Sequence, residues 1–395
     1  MRVAVLGAGI MGSCLALQLA RRGAEVVVVD AADAPLAGAS RWNEGKIHLG
    51  YLYAGDPSLA SARHVMEGGL SFVPLMSELL GGKLTDVTEG EDLYLIHVES
   101  IVSPDQAQAY YQRVAELVRQ HPRARDYLVD VSSASVRPMA RAQLSAVSDD
   151  AGIVAGFACP ERSVSTVRIA DALVAAMAAD PRIELRLSSR VLGVEECDDG
   201  RWRFRTDAGW SERFHYVINA LWHGRIDIDR TAGLEPPATW SHRFRVAAFV
   251  RTAKPLTHPS AVVAVGPFGD VKNYNDRDFY LSWYPSGLLA ETVNAPPPLP
   301  RIADVPEHAQ AIAAGLSPAL PWVGDIFSAA SEIRIEGGYV FAAGMGALSD
   351  PSSTIHRRDG FGVSRRGNYV SVDTGKYSSA PLLALRIADA LYHAS

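Results

Sequence analysis

The opening stretch Arg2-Val-Ala-Val-Leu-Gly-Ala-Gly-Ile-Met-Gly12 constrains this chain more than any other. An apolar β-run ends in Gly7-x-Gly9-x-x-Gly12. An amphipathic helix follows, from about Ile10 to Arg22, and a second β-run, Glu25 to Asp30, ends in an acid. Each part has a mechanical role. Gly7 permits the tight strand-to-helix turn, Gly9 lets a pyrophosphate approach the backbone, and Gly12 lets helix and strand pack closely. The helix N-terminus offers unpaired N–H groups and partial positive charge to the phosphates. Asp30 is placed to accept hydrogen bonds from the adenosine ribose, and its charge repels a 2′-phosphate, which disfavours NADP. Strand before, helix after and an acid about 20 residues on make this a dinucleotide-binding start. On this motif alone FAD and NAD both remain open.

The chain has 395 residues, more than one ordinary core accommodates, so two or three domains are expected. Apolar residues at 48% and charged residues at 21% are those of a globular protein. The formal net charge is −6 and no basic stripe is present, so nucleic acid is not an expected partner. Beyond the opening stretch there is no apolar run of about 18 residues, so no membrane span is expected. Cys14, Cys159 and Cys197 form no Cys-x-x-Cys and no metal-like spacing. They fit free thiols in a reducing cytoplasm, and no metal site is expected.

Further along, Leu59 to Leu80 has apolar residues at helical spacing, with a break or kink expected at Gly68, Gly69 and Pro74. Helices are also expected over Pro104 to Gln120, Ser163 to Ala179, Glu307 to Leu316 and Ser379 to Tyr392, the last capped by Ser379. Leu93 to Val98, Phe244 to Val250, Ala261 to Val265, Phe279 to Tyr284, Gly338 to Ala343 and Asn368 to Val372 read as strands. Ile183 to Val194 reads as a strand pair or bent strand. A hairpin through Trp202, Phe204 and Gly209 leads into the buried-type strand ending Val217-Ile-Asn-Ala220. The simplest arrangement is mixed α/β: a Rossmann-type dinucleotide domain interleaved with an antiparallel-sheet substrate domain. The first takes residues 1–90, 150–225 and 335–395; the second takes 91–149 and 226–334.

Taken together these features resemble the D-amino-acid-oxidase-like family of FAD-dependent oxidoreductases. Four segments carry the resemblance, in the family's order and across nearly the whole chain. The first is the glycine turn with Asp30. The second is Gly38-Ala-Ser40 followed by Asn43-x-Gly45-x-Ile47-His48-x-Gly50, similar to the flavin-wrapping loop of the 2-hydroxyglutarate-dehydrogenase branch. The third runs from Val191-x-x-Val194 to Val217-Ile-Asn-Ala220, like the family's second nucleotide-contacting strand. The fourth is Gly367-Asn-Tyr-Val-Ser-Val-Asp-Thr-Gly375-Lys376 and the helix after it, like the strand and loop beneath the isoalloxazine. Two departures bear on the substrate. Lys376 stands where the family often has histidine, and the segment from Gly344 to Gly360 matches the family only loosely.

The resemblance implies FAD as cofactor and a small polar substrate. It implies oxidation of a C–N bond of an amine or amino acid-like molecule by hydride transfer to flavin N5, with O2 as an acceptor. Gly7, Gly9, Gly12, Asp30, Ser40, Asn43, Gly45, Lys46, Val191, Gly375 and Lys376 are the cofactor-binding candidates. His48, Lys376, Tyr280 and Arg357 are the catalytic candidates. Lys376 would stabilise the reduced, anionic flavin, and one of Arg277, Arg357 and Arg358, with Arg357 favoured, would clamp a substrate carboxylate. Tyr280, with Ser282 and Tyr284, would line a pocket on one face of its strand, or pack as sheet surface. His48 has two readings: a base for an alcohol substrate, or a histidine packed in the loop. The first makes a 2-hydroxy-acid dehydrogenase the rival activity. An NAD-linked dehydrogenase and a non-catalytic nucleotide-binding protein are the readings from other classes. Oligomeric state leaves no mark in the sequence.

Overall fold

The computed structural model describes residues 1–84, 87–302 and 304–393. Two large sheets organise the chain. The first has six strands in the order Gly362–Arg366, Tyr369–Asp373, Tyr216–Asn219, Arg2–Leu6, Glu25–Val29, Ile183–Arg186. All neighbours run parallel except the first pair. Its inner strands are near-continuous apolar runs, Val26 to Val29 among them, because helices and a small sheet cover both faces. On one face the helix Ile10–Arg21 packs between Thr166–Ala179 and the closing helix Ala380–His393. On the other, Trp202, Phe204 and Phe214 from the hairpin region pack against Ala4, Leu6, Val27 and Val29.

The second sheet has nine strands and is largely antiparallel. Ser241–Thr252 lies at its heart, paired along its length with Ala330–Ala342. Phe244, Val246, Ala248 and Val250 point to a core closed by the helices Val305–Leu316 and Val323–Ser328. Alternation sends Arg243, Arg245, Ala247 and Phe249 to the opposite face, toward the cofactor half. There Phe249 meets Trp42, and Gly338 lies against Ala39.

Several expectations are corrected. Ile153–Cys159 and Ala330–Ala342 had been assigned in part to the dinucleotide domain, but both pair within the nine-stranded sheet. The helix Arg225–Thr231, assigned to the substrate domain, packs instead on the cofactor half through Ile228. Gly269–Asn273 and Leu288–Thr292 are additional strands. Ser379 is not a cap. It ends a short 3₁₀ turn, Tyr377–Ser379, before the helix begins at Ala380, and its hydroxyl has no partner.

No break interrupts Ala60–Leu80 at its glycines; the helix runs through them and through Pro74. The glycines serve close approach. A Cβ on Gly68 would lie 2.8 Å from Ser379 Cα, and one on Gly69 would lie 2.1 Å from the His48 carbonyl oxygen. The helix is thus pressed against both the wrapping loop and the final turn. We expect Gly69→Ala to cost about 1–3 kcal/mol through overpacking, read as a fall in Tm of several degrees. Gly82→Ala, which has open space around it, should leave Tm nearly unchanged.

Candidate active site

The dinucleotide cradle forms where the first strand meets the first helix. Gly7 adopts φ +104°, and a Cβ there would lie 2.6 Å from the Ala220 carbonyl oxygen. A Cβ on Gly12 would lie 1.8 Å from the Gly7 carbonyl oxygen. Gly9 caps the helix without a side chain, and no acidic residue occupies the first turn. Ser40 Oγ accepts the Ile10 N–H at 2.9 Å, leaving its own proton to donate. An anion fits this end of the helix. Asp30 braces the turn, its carboxylate accepting the Ala8 N–H at 2.7 Å and the Ala32 N–H at 2.8 Å. A carboxylate has about four lone-pair sites, so the ribose role assigned to Asp30 is compatible with this one. Val191, at the start of its strand, is buried in the same apolar cluster as Leu6 and Val29.

The strand beside Gly7 ends in a polar knot. Asn219 donates to Asp229 Oδ1 at 2.9 Å and to the Tyr369 hydroxyl at 2.9 Å. Arg225 bridges Asp229 at 2.9 Å and Asp373 at 3.3 Å. This knot locks the middle strand to the strand that carries Gly375.

Within the wrapping loop the candidates divide. Asn43 shapes the loop: its amide donates to the Ala39 carbonyl at 2.8 Å and its oxygen accepts the Gly45 N–H at 2.9 Å. Gly45 has φ +65° and sits where a Cβ would lie 1.9 Å from the Val164 carbonyl oxygen. Lys46 turns away into the substrate sheet. Its ammonium lies 2.9 Å from Asp92 Oδ2 and 3.0 Å from the Tyr94 hydroxyl, which it approaches as a donor. Lys272 meets the same Asp92 oxygen at 2.6 Å. Glu161 accepts the Leu49 N–H at 2.6 Å and the Gly50 N–H at 3.0 Å, and also bonds Tyr94. Burial alone would raise the Asp92 carboxyl, but Lys272 and Lys46 outweigh it and hold it at about 2.

His48 follows directly. It is buried, its Nδ1 has no partner, and its ring lies 5.5 Å from that of Tyr53. Burial, and then the charges of Lys376, Lys46, Lys272 and Arg358, hold its pKa well below the ordinary value, so the imidazole is neutral. Lys376 stands over the Tyr53 ring at 5.4 Å. Burial and the Arg358 charge bring its ammonium down to about 7, against the pull of Glu44. Gly375 has φ +64°, and a Cβ there would strike the Phe361 ring.

Arg357 and Arg358 both line a cavity of about 250 Å³ with Phe341, Phe361, Asp373 and Gly375. The Arg357 side chain is 63% exposed and pairs with Asp359 at 2.6 Å, whereas Arg358 donates to the Phe341 carbonyl at 3.3 Å. Arg243 and Arg245, which sequence reasoning missed, lie near Arg358 and Lys376. Arg243 bonds the Tyr284 hydroxyl at 3.1 Å, and the Arg245 guanidinium lies 4.7 Å above the Tyr284 ring. Ser282 and Tyr284 therefore do face this group. Tyr280 lies further along the same face, packed edge-on against Phe249 beside Tyr274. A larger cavity, about 390 Å³, lies beyond that aromatic contact, around Trp42, Phe249 and the start of the helix Thr166–Ala179.

The family model for FAD-dependent oxidoreductases of the DAO type matches residues 2–375. The chain belongs to this family. FAD, not NAD, is its dinucleotide, and the protein is an oxidoreductase. Its fold is that of glycine oxidase from Geobacillus kaustophilus, with TM-score 0.71 and 16% identity over 99% of this chain and 95% of that one. Iminodiacetate oxidase from Chelativorans sp. BNC1 gives TM-score 0.70 and 16% identity over 99% and 95%. L-α-glycerophosphate oxidase from Mycoplasma pneumoniae, solved with FAD bound, gives 0.66 and 13% over 99% and 94%. Among the described residues of this family member no helix is long and apolar enough to cross a membrane.

The glycine turn, Ser40 and the uncapped first helix fit the FAD pyrophosphate. Removing Asp92 would leave Lys46 and Lys272 buried without their shared carboxylate. We expect Asp92→Ala to lose about 3–5 kcal/mol in urea unfolding at pH 7. Because the native carboxyl titrates at about 2 against an ordinary 3.8, its contribution in the parent protein is full above pH 3.8 and fades as pH falls toward 2.

Proposed function

We propose that this enzyme oxidises the C–N bond of a small amino acid-like substrate, with O2 as the terminal acceptor. The observation that carries the reading is the set of guanidinium groups from Arg243, Arg245 and Arg358 gathered beside Lys376 and a neutral His48. Bound FAD supplies the hydride acceptor. The rest of the chemistry belongs to the chain. A guanidinium pairs two carboxylate oxygens at once and so fixes the substrate's orientation. The same cationic surroundings disfavour a protonated amine, because like charges in a low-dielectric pocket repel strongly. An amine arriving as ammonium is therefore driven to lose its proton, which frees the lone pair needed for C–H cleavage. Lys376, uncharged above about pH 7, is placed to receive that proton. Backbone pressed close at Gly375, with Phe361 over it, closes the pocket floor.

The activities for which the glycine and iminodiacetate oxidases are named support a C–N bond. A second reading, oxidation of a 2-hydroxy acid, has its own support. A neutral, buried His48 with a free Nδ1 could take an alcohol proton, and the glycerophosphate oxidase shares the fold. The three free thiols, two of them buried, suit a reducing cytoplasm.

Anaerobic mixing of the yellow holoenzyme with panels of amino acids, N-substituted glycines and 2-hydroxy acids tests the reading. Bleaching by amines and not by hydroxy acids is the expected result. The bleaching rate should rise with pH through about 7, and Lys376→Met should flatten that rise while lowering the rate roughly 10–100-fold. His48→Asn should leave amine oxidation within about tenfold. A loss of a thousandfold or more that follows one ionisation would instead favour the alcohol route.

A further inference from the structure

Two groups of enclosed cations stand out among the described residues. Lys46, Lys272 and Arg225 each meet a carboxylate: Asp92 for the lysines, Asp229 and Asp373 for the arginine. Arg243, Arg245, Arg358 and Lys376 meet none among the described residues. Their partners are uncharged: the Tyr284 hydroxyl, Ser282 Oγ at 3.3 Å, the Phe341 carbonyl and the Tyr53 ring. The Nε atoms of Arg243 and Arg245 are buried with no partner at all. Charges drawn even partly out of water without a counter-ion are costly, so four of them gathered near one another describe a site shaped for anions.

The nearby acids are already engaged. Asp270 accepts from Ser282 at 2.6 Å, and burial raises its pKa toward the neutral form. Asp373 accepts the Gly375 N–H at 3.0 Å and faces Arg225. Glu44 acts on Lys376 without pairing to it. The FAD phosphates belong at the glycine turn, and an oxidised isoalloxazine carries no charge. One substrate carboxylate held bidentately satisfies one guanidinium, which leaves two more in the same space.

We propose that the substrate carries two oxyanion groups, the second held by the Arg243–Arg245 pair that flanks Tyr284, so that the site selects a dianion over a monoanion. The inference rests on this cationic cluster being the substrate site, but not on whether a C–N or a C–O bond is broken.

Calorimetric titration of the FAD-loaded enzyme with non-reacting anions of matched length tests it: propionate, succinate and 3-phosphonopropionate. The expected result is that one or both dianions bind roughly 10–100-fold more tightly than propionate, the increment of one charge-assisted contact. The phosphonate separates a second carboxylate from a phospho group. Arg245→Gln should remove most of that difference and leave propionate within about twofold. Bound FAD, read from the visible spectrum, reports that the variant is folded. Equal affinities for propionate and succinate in the parent enzyme, or no binding by any of the three, would overturn the proposal whatever the variant does. Amine bleaching combined with equal affinities sinks this inference alone. Tight dianion binding with bleaching only by hydroxy acids sinks the amine reading alone.

Discussion

One carboxylate shared by two lysines holds the two halves of this enzyme in register. Asp92 comes from the substrate sheet, Lys272 from a strand two places along, and Lys46 from the loop that wraps the cofactor. All three are almost wholly excluded from water. Such a group adds little net stability over apolar packing. Its effect is positional: the ammonium of Lys46 can be satisfied in one place only, and His48 is two residues on. Glu161 ties down the next two amides, and the Gly69 position of the long helix presses on the His48 carbonyl. The imidazole is therefore held by its neighbours' bonds and not by its own.

The same arrangement sets the electrostatics of the pocket. Lys46 and Lys272 are neutralised locally, whereas Arg243, Arg245 and Arg358 are not, so the uncompensated positive field is concentrated near Lys376. Burial, with Lys376, Lys46, Lys272 and Arg358 adding to it, keeps His48 neutral, and burial with Arg358, Arg243 and Arg245 brings Lys376 into the range where it exchanges protons near pH 7. Two groups that would ordinarily be a partly charged imidazole and a fully charged ammonium become a neutral pair able to accept protons.

The cofactor half was legible because its signals are local. Glycines at fixed offsets have steric jobs that no other residue can do, and Val26 to Val29 can only be a buried strand. The long helix was read as broken because glycines inside a helix usually weaken it; the approach of two distant backbones to Gly68 and Gly69 has no local trace. The substrate sheet was harder. Ala330–Ala342 begins Ala-Ser-Glu-Ile-Arg-Ile-Glu-Gly-Gly, so its first half looks solvated although it pairs with Ser241–Thr252. Arg243 and Arg245 alternate with Phe244 and Val246, a period-two pattern that normally marks a wet face. Only the cofactor half, packed over that face, turns it into a pocket. Adjacent Arg357 and Arg358 lie in irregular chain, where no periodicity says which one is the more enclosed.

The backbone passes between the two sheets four times: after Val29, after Cys159, after Asn219 and after Ala342. Hinged enzymes usually join their lobes by one or two strands of chain and open like a jaw. A body stitched at four places cannot. Traffic to the buried redox centre must then depend on small local displacements, such as a swing of Phe361 or Trp42, while the walls stay put.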